Sequence, residues 1–138
     1  MSSAAAPRLR ALSKAECLER LKSAAVGRIG ISVGALPVIL PVNYAVVDHG
    51  ILFRTGRGTK LAAATHNAVV AFEADSFAGD GTGGWSVLVR GVCAEVTDPD
   101  DLGLMRDVPL DAWVADEDTD RYVRIALTEI SGRGFGPS

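Results

Sequence analysis

Residues 26–55 read VGRIGISVGALPVILPVNYAVVDHGILFRT, and this stretch decides the fold. Val26, Ile29, Ile31 and Val33 give a first apolar run that ends at Gly34-Ala35. A second, longer run covers Leu36 to Val47 and ends at Asp48-His49-Gly50. A third covers Ile51 to Thr55. Strand, short turn, strand, short turn, strand predicts an antiparallel meander. Upstream, Ser13 precedes Glu16 at capping-box spacing, and Cys17, Leu18, Leu21 and Ala24 follow at helical spacing, which predicts a helix over 14–24. Residues 1–11 read as a loose arm, with one ordered domain over 12–138.

Downstream, Gly56-Arg57-Gly58 interrupts the meander, and Leu61 to Ala64 is helix-friendly. Strands are expected over 68–74, 85–97 and 121–130, with a Gly- and Asp-rich loop at 76–84 and a Gly-rich tail at 132–138. Gly91, inside the long fifth strand, marks a bulge or a barrel corner. Residues 98–120 hold nine acidic residues against Arg106 alone. They read as a solvated acidic surface with short helices near 100–106 and 110–115. Six strands with few helices in a chain of 138 residues predict a mainly β fold, a small antiparallel barrel. Strands apolar on both faces, such as 38–40 and 87–89, need cover from outside as well as inside, so a homodimer is expected.

Composition narrows the function. Hydrophobic residues make up 48% and the net charge is −3, which suits a cored domain and argues against a nucleic-acid partner. Apolar runs are broken by Pro or Asn before membrane-span length. The start MSSAAAPRLR lacks the pattern of a signal peptide. A soluble, cytoplasmic protein is the expectation, with no membrane partner. Cys17 and Cys93 form neither a disulfide framework nor a CxxC zinc pair.

Several motifs fail on context. Gly79-Asp-Gly-Thr-Gly-Gly84 matches GxGxxG by letter but runs into the strand that starts at Trp85, whereas a dinucleotide fingerprint must open a helix. Gly56 to Leu61 lacks the glycine spacing and the hydroxyl after Lys of a Walker loop. His49 and His66 are the only histidines, too few for a His-based zinc site or a triad. Ser86 lacks the flanks of a nucleophile elbow.

One constellation survives. No Asp or Glu occurs from His49 to Phe72, and Arg54, Arg57 and Lys60 fall within seven residues of one another among Thr55, Gly56, Gly58 and Thr59. Glycines let backbone N–H groups converge, hydroxyls donate and cations neutralise, which are the ingredients of an anion nest. A solvated basic turn would have the same composition. Asn43 interrupts an apolar strand, and a buried amide needs partners, from a ligand or from a loop backbone. Trp85 and Ser86, at a strand start, suit a planar ligand, and Trp85 equally suits core or interface packing.

Four blocks, in order and spacing, carry a family resemblance: Pro41-Val42-Asn43-Tyr44, Ile51 to Leu61, Val70-Ala71-Phe72-Glu73 and Gly84 to Gly91. The chain resembles the pyridoxamine 5′-phosphate oxidase-like flavin-binding split barrels, and within them the nitroimidazole-resistance-type branch. The resemblance implies a six-stranded antiparallel Greek-key split β-barrel, a homodimer, and FMN at the subunit interface. By position, Arg54, Thr55, Thr59 and Lys60 would hold the FMN phosphate. Val42, Asn43 and Tyr44 would line the flavin ring, Trp85 and Ser86 would lie beside the ring or ribityl chain, and Arg133 with Phe135 would reach in from the partner. Deazaflavin or haem are the alternative cofactors that related folds imply. The function implied is a flavin-dependent oxidoreductase, with a reduced nicotinamide as donor and a small molecule as acceptor, or a carrier or sensor without turnover. No catalytic side chain is assigned. The oxidase's own substrate-phosphate residues are not recognisable here, which sets vitamin B6 oxidation aside. The physics agrees with the transfer: a phosphate monoester carries about −1.5 to −2 charge at pH 7, and charge-assisted hydrogen bonds are worth roughly 1.5–3 kcal/mol each.

Overall fold

A computed structural model describes residues 8–48, 50–56, 58–110 and 121–137. The chain order is β1 (Arg10–Ala11), α1 (Lys14–Ser23), β2 (Val26–Val33), β3 (Leu36–Asn43), β4 (Ala45–Val47), β5 (Gly50–Thr55), α2 (Lys60–Ala64), β6 (Val69–Phe77), β7 (Gly84–Glu95), α3 (Pro99–Arg106), β8 (Arg121–Ala126) and β9 (Glu129–Phe135). Every pairing is antiparallel, and the sheet runs β3-β2-β6-β7-β8-β5-β4, with β9 between β7 and β1. This is a split barrel, as expected, but nine described strands stand where six were read.

Two of the extra strands come from breaks inside apolar runs. At Tyr44 the chain leaves the β2 edge and enters the β5 edge, so residues 26–55 form two hairpins rather than a continuous meander. The Tyr44 N–H donates to the Ala25 carbonyl at 3.0 Å. Its hydroxyl donates to the Leu21 carbonyl at 2.6 Å, and its ring meets Phe72 edge-on at 4.8 Å. The Leu21 carbonyl is one of the unpaired groups at the end of α1, so the tyrosine caps a helix while it turns a strand. Burial pushes the Tyr44 hydroxyl up to about 12. Tyr44→Phe should cost about 1–2 kcal/mol and lower Tm by about 3–6 °C in a thermal melt, with the fold retained.

The second break separates β8 from β9. The expected tail is strand: Gly132 and Gly134 pair with Val87 and Trp85. Order also begins before Leu12, because Arg10 and Ala11 pair with Gly134 and Arg133. The capping box is present, with Glu16 N–H donating to Ser13 Oγ at 3.1 Å and Ser13 N–H donating to Glu16 Oε1 at 3.2 Å.

Ile29, Ile31, Ile51, Phe53, Phe72, Val87, Val89 and Ile125 fill the barrel, closed at one side by Cys17 and Leu21 of α1. The first part of the acidic stretch is more than a solvated surface. Asp98 caps α3, whose Leu102 and Met105 cover Leu52, Val96 and Tyr122 on the outside of the sheet. The helix expected near 110–115 lies outside the described residues. Among those residues no helix is long and apolar enough to cross a membrane, and no acidic, His or Cys cluster could hold a metal.

Candidate functional site

The expected site residues fall into two groups. The first gathers where β5 ends. Alternation along a strand sends neighbouring side chains to opposite faces. Thr55 therefore points to the barrel side with Phe53, while Arg54 points outward and lies over the Tyr122 ring, 5.6 Å from its centroid. Thr55 is buried, with its Oγ1 3.2 Å from Thr59 Oγ1. Thr59 also donates to the Gly56 carbonyl at 3.2 Å and caps α2 by accepting from the Ala62 N–H at 3.0 Å. A hydroxyl carries one proton, so Thr59 shapes this turn rather than offering a free donor. Arg57 and the Lys60 side chain lie outside the described parts of the structure.

Val42 is buried at the end of β3, next to Asn43, where β3 packs against β5. Asn43 is the last residue of β3, opposite Val26 of β2. Tyr44, expected to line a ring, directs its own ring and hydroxyl into the fold as described above.

Sequence reasoning missed Arg121. The β5–β8 ladder brings it opposite Thr55, and it bridges Glu95 at 2.9 Å. With Thr55, Gly58, Thr59, His66 and Glu95 it lines a cleft of about 250 Å³. No local motif marks Arg121, since it follows the acidic stretch and arrives by long-range pairing.

Three buried side-chain atoms among the described residues have no hydrogen-bond partner: Asn43 Nδ2, Arg54 Nε and Arg121 Nε. All three are N–H donors; Arg121 shares the barrel face with its register partner Thr55, whereas Arg54 stands on the outer face with its partner Tyr122. Buried donors are nearly always paired. Unpaired buried donors, two of them cationic, fit an acceptor-rich, anionic ligand.

The second group is Trp85, Ser86 and Arg133. Ser86 and Arg133 are register partners across β7 and β9, and Trp85 faces inward, largely buried. Trp85 and Glu95 are ten positions apart on β7, which is about 33 Å along the strand at roughly 3.3 Å per residue. The two groups therefore occupy opposite ends of the sheet.

Outside the barrel, Ile39 and Val69 are 72% and 73% exposed, and Leu36, Leu88 and Val92 are also exposed. In their midst Arg28 reaches Glu73 at 3.3 Å and Asp75 at 3.4 Å. Burial first, and Asp75 second, push the Glu73 carboxyl up to about 7 against the pull of Arg28.

The pyridoxamine 5′-phosphate oxidase family model matches residues 13–134. The chain belongs to this family. A structure of an FAD-binding protein from Mycobacterium smegmatis is 40% identical, with TM-score 0.79, covering 92% of this chain and 98% of that one. A candidate pyridoxamine 5′-phosphate oxidase from Corynebacterium glutamicum is 34% identical, with TM-score 0.82, covering 94% and 95%. An uncharacterized protein of Mycobacterium tuberculosis is 36% identical over 108 residues, which is 75% of this chain and 70% of the relative. A candidate 5-nitroimidazole antibiotic resistance protein from Bacteroides thetaiotaomicron shares the fold at 13% identity and TM-score 0.69, covering 94% and 89%. Four sequence blocks thus pointed to the right family.

Proposed function

We propose that this protein binds a flavin at a seam between two copies of the chain and serves as a flavin-dependent oxidoreductase. The unpaired buried donors of Asn43, Arg54 and Arg121 carry the reading. A flavin presents phosphate oxygens at one end and ring carbonyls at the other, which suits cationic and amide donors in turn. Arg54 and Lys60 would hold phosphate, Thr55 would floor that end, Val42 and Asn43 would border the ring, and Thr59 would fix the turn. A bound flavin supplies hydride or electron transfer at its ring, and the protein supplies position and a wall against water.

A second copy completes the site. Trp85, Ser86 and Arg133 stand too far along β7 to touch the same flavin as Arg54 of their own chain, so they would meet one held by the partner. The exposed Ile39, Val69, Leu88 and Val92 supply an apolar face for such an association. Sedimentation of the purified protein should give a dimer, and Ile39→Asp should give a monomer that no longer retains flavin. A monomeric wild type that holds flavin would exclude the shared site.

The relative at 40% identity binds FAD, which favours FAD over FMN for this chain as well. An absorbance spectrum of the purified protein, with mass spectrometry of whatever is released on denaturation, separates FAD, FMN, deazaflavin and haem. Lys60→Ala should weaken flavin about thirtyfold, equivalent to about 2 kcal/mol, in a fluorescence titration. Oxidation of a reduced nicotinamide by the loaded protein would distinguish turnover from carriage. A colourless protein that binds neither FAD nor FMN would overturn the reading.

A further inference from the structure

The outer face of the sheet carries one charged cluster among apolar residues. Arg28 of β2 and Glu73 of β6 are register partners. Asp75 stands two residues beyond Glu73 and points to the same face, as strand alternation requires. The Arg28 guanidinium reaches both carboxylates, at 3.3 and 3.4 Å, so one cation serves two anions. The apolar surroundings are close at hand. Leu88 is the register partner of Glu73, and Ile39 that of Gly30, both exposed. A hollow of about 310 Å³ opens between Arg28 and Ile39, over Gly30 and Ala71, whose small size leaves it unfilled.

The other strands add no counter-charge at Glu73. On this face β3 offers Pro37, Ile39 and Pro41, none ionisable. Arg90 of β7 is bridged to Glu129 of β9 at 2.6 Å. Arg133 of β9 lies beyond Ser86, the register partner of Asp75. Glu73 therefore has Arg28 as its cation and Asp75 as its near anion. Within one chain, burial first and Asp75 second already push its carboxyl up to about 7.

The Glu73 and Asp75 side chains are 34% and 26% exposed, so a covering surface would strip water from both. Desolvation disfavours the charged form of a carboxyl. A twofold-related copy lays the same patch against itself, so two ionised clusters would each bring one excess negative charge to a single seam. With Glu73 protonated, Arg28 and Asp75 balance and each cluster is neutral.

We infer that Glu73 makes the joining of two copies proton-linked: each chain takes up one proton from solvent on this carboxyl as the face is covered, and the seam loosens as the carboxyl ionises. This rests on the reading that this face is the seam, and does not require the seam to hold flavin. The sign follows from a carboxyl that binds its proton more tightly in the dimer than in the free chain. Association is tightest below about pH 7 and weakens as pH rises through and above that value, by up to about a hundredfold per pH unit for two protons per dimer.

The test is sedimentation of the full-length protein between pH 6 and 8.5, fluorescently labelled so that dilution reaches nanomolar concentration. The wild-type dimer should dissociate at least tenfold more readily at pH 8.5 than at pH 6. Glu73→Gln, which keeps the shape of the protonated side chain, should hold the pH 6 affinity at both values. Glu129→Gln should keep the wild-type profile. If dilution leaves the dimer whole, the urea concentration that separates the copies is the readout, and it should fall with pH in the wild type but not in Glu73→Gln. A wild-type dimer indifferent to pH would overturn the proton linkage and leave the seam standing. So would a Glu73→Gln profile identical to that of the wild type. A wild type that is monomeric at every pH would remove the seam, and the linkage with it. A proton-linked dimer that takes up no flavin would uphold the linkage and count against the flavin reading alone.

Discussion

Gly91→Val is expected to abolish the folded protein or to destabilise it by more than about 3 kcal/mol, measured by urea unfolding of whatever remains soluble. At Gly91 the long strand β7 changes neighbours. Residues Gly84 to Arg90 pair with β9, and Cys93 to Glu95 pair with β8. The barrel splits at this point because β8 ends and β9 begins against the same edge. A side chain on residue 91 would occupy the position of the Ala126 carbonyl, with Thr128 Oγ1 close behind. Backbone cannot rotate aside as a flexible side chain can, so β8 would have to peel away and take Val123 and Ile125 out of the core. Gly103, in α3, has open space around it, so Gly103→Ala should instead stabilise by about 0.5–1 kcal/mol through helix propensity alone. Opposite signs at two glycines would separate close approach from a general effect of adding a methyl group. Comparable unfolding curves for Gly91→Val and wild type would mean that the split is not located at this residue.

Gly91 was legible because an interior glycine in a long apolar strand has few other uses. The break at Tyr44 was not. Tyrosine is as strand-compatible as its neighbours, and what turns the chain is a pair of hydrogen bonds to Leu21 and Ala25, some twenty residues earlier. Nor was β9 legible, since Gly132 and Gly134 lower strand propensity and suggest a tail. They are there because a Cβ at residue 132 would meet Cys17 Sγ at 2.7 Å and Leu12 at 3.2 Å, so α1 can lie on this strand only if the strand is bare. Tertiary proximity overrides local preference in both cases.

The candidate site divides along the same line. Thr55 and Thr59 are four residues apart, and their contact could be anticipated from local spacing. The opposite facing of Arg54 and Thr55 also follows from strand alternation, once the strand is known to run through Thr55 without a bulge. Arg121 depends on the β5–β8 register, which no window of sequence contains. The unpaired donors emerge only when all three elements are in place, and they carry the sharpest test of the flavin reading.

Asn43→Leu is expected to move stability and affinity in opposite directions. An amide buried for structural reasons would have its Nδ2 paired, and its loss would destabilise the fold. Here Nδ2 is buried without a partner, and an unmet buried donor costs about 1–3 kcal/mol. Leucine has similar volume and no donor. Flavin-free Asn43→Leu should therefore melt at or above the wild-type temperature, with a gain of up to about 1 kcal/mol. Flavin affinity should fall at least tenfold, equivalent to about 1.4 kcal/mol, because the flavin acceptor would lose the amide donor it meets in the complex. Ligand binding raises stability in proportion to the logarithm of ligand over dissociation constant. Excess FAD should therefore raise the wild-type Tm more than the variant's, and the two melting curves should exchange order between flavin-free and saturated protein. If the variant instead melts lower without flavin and binds FAD as tightly as wild type, Asn43 serves the fold, and the unpaired donors left for a flavin would be the two arginines.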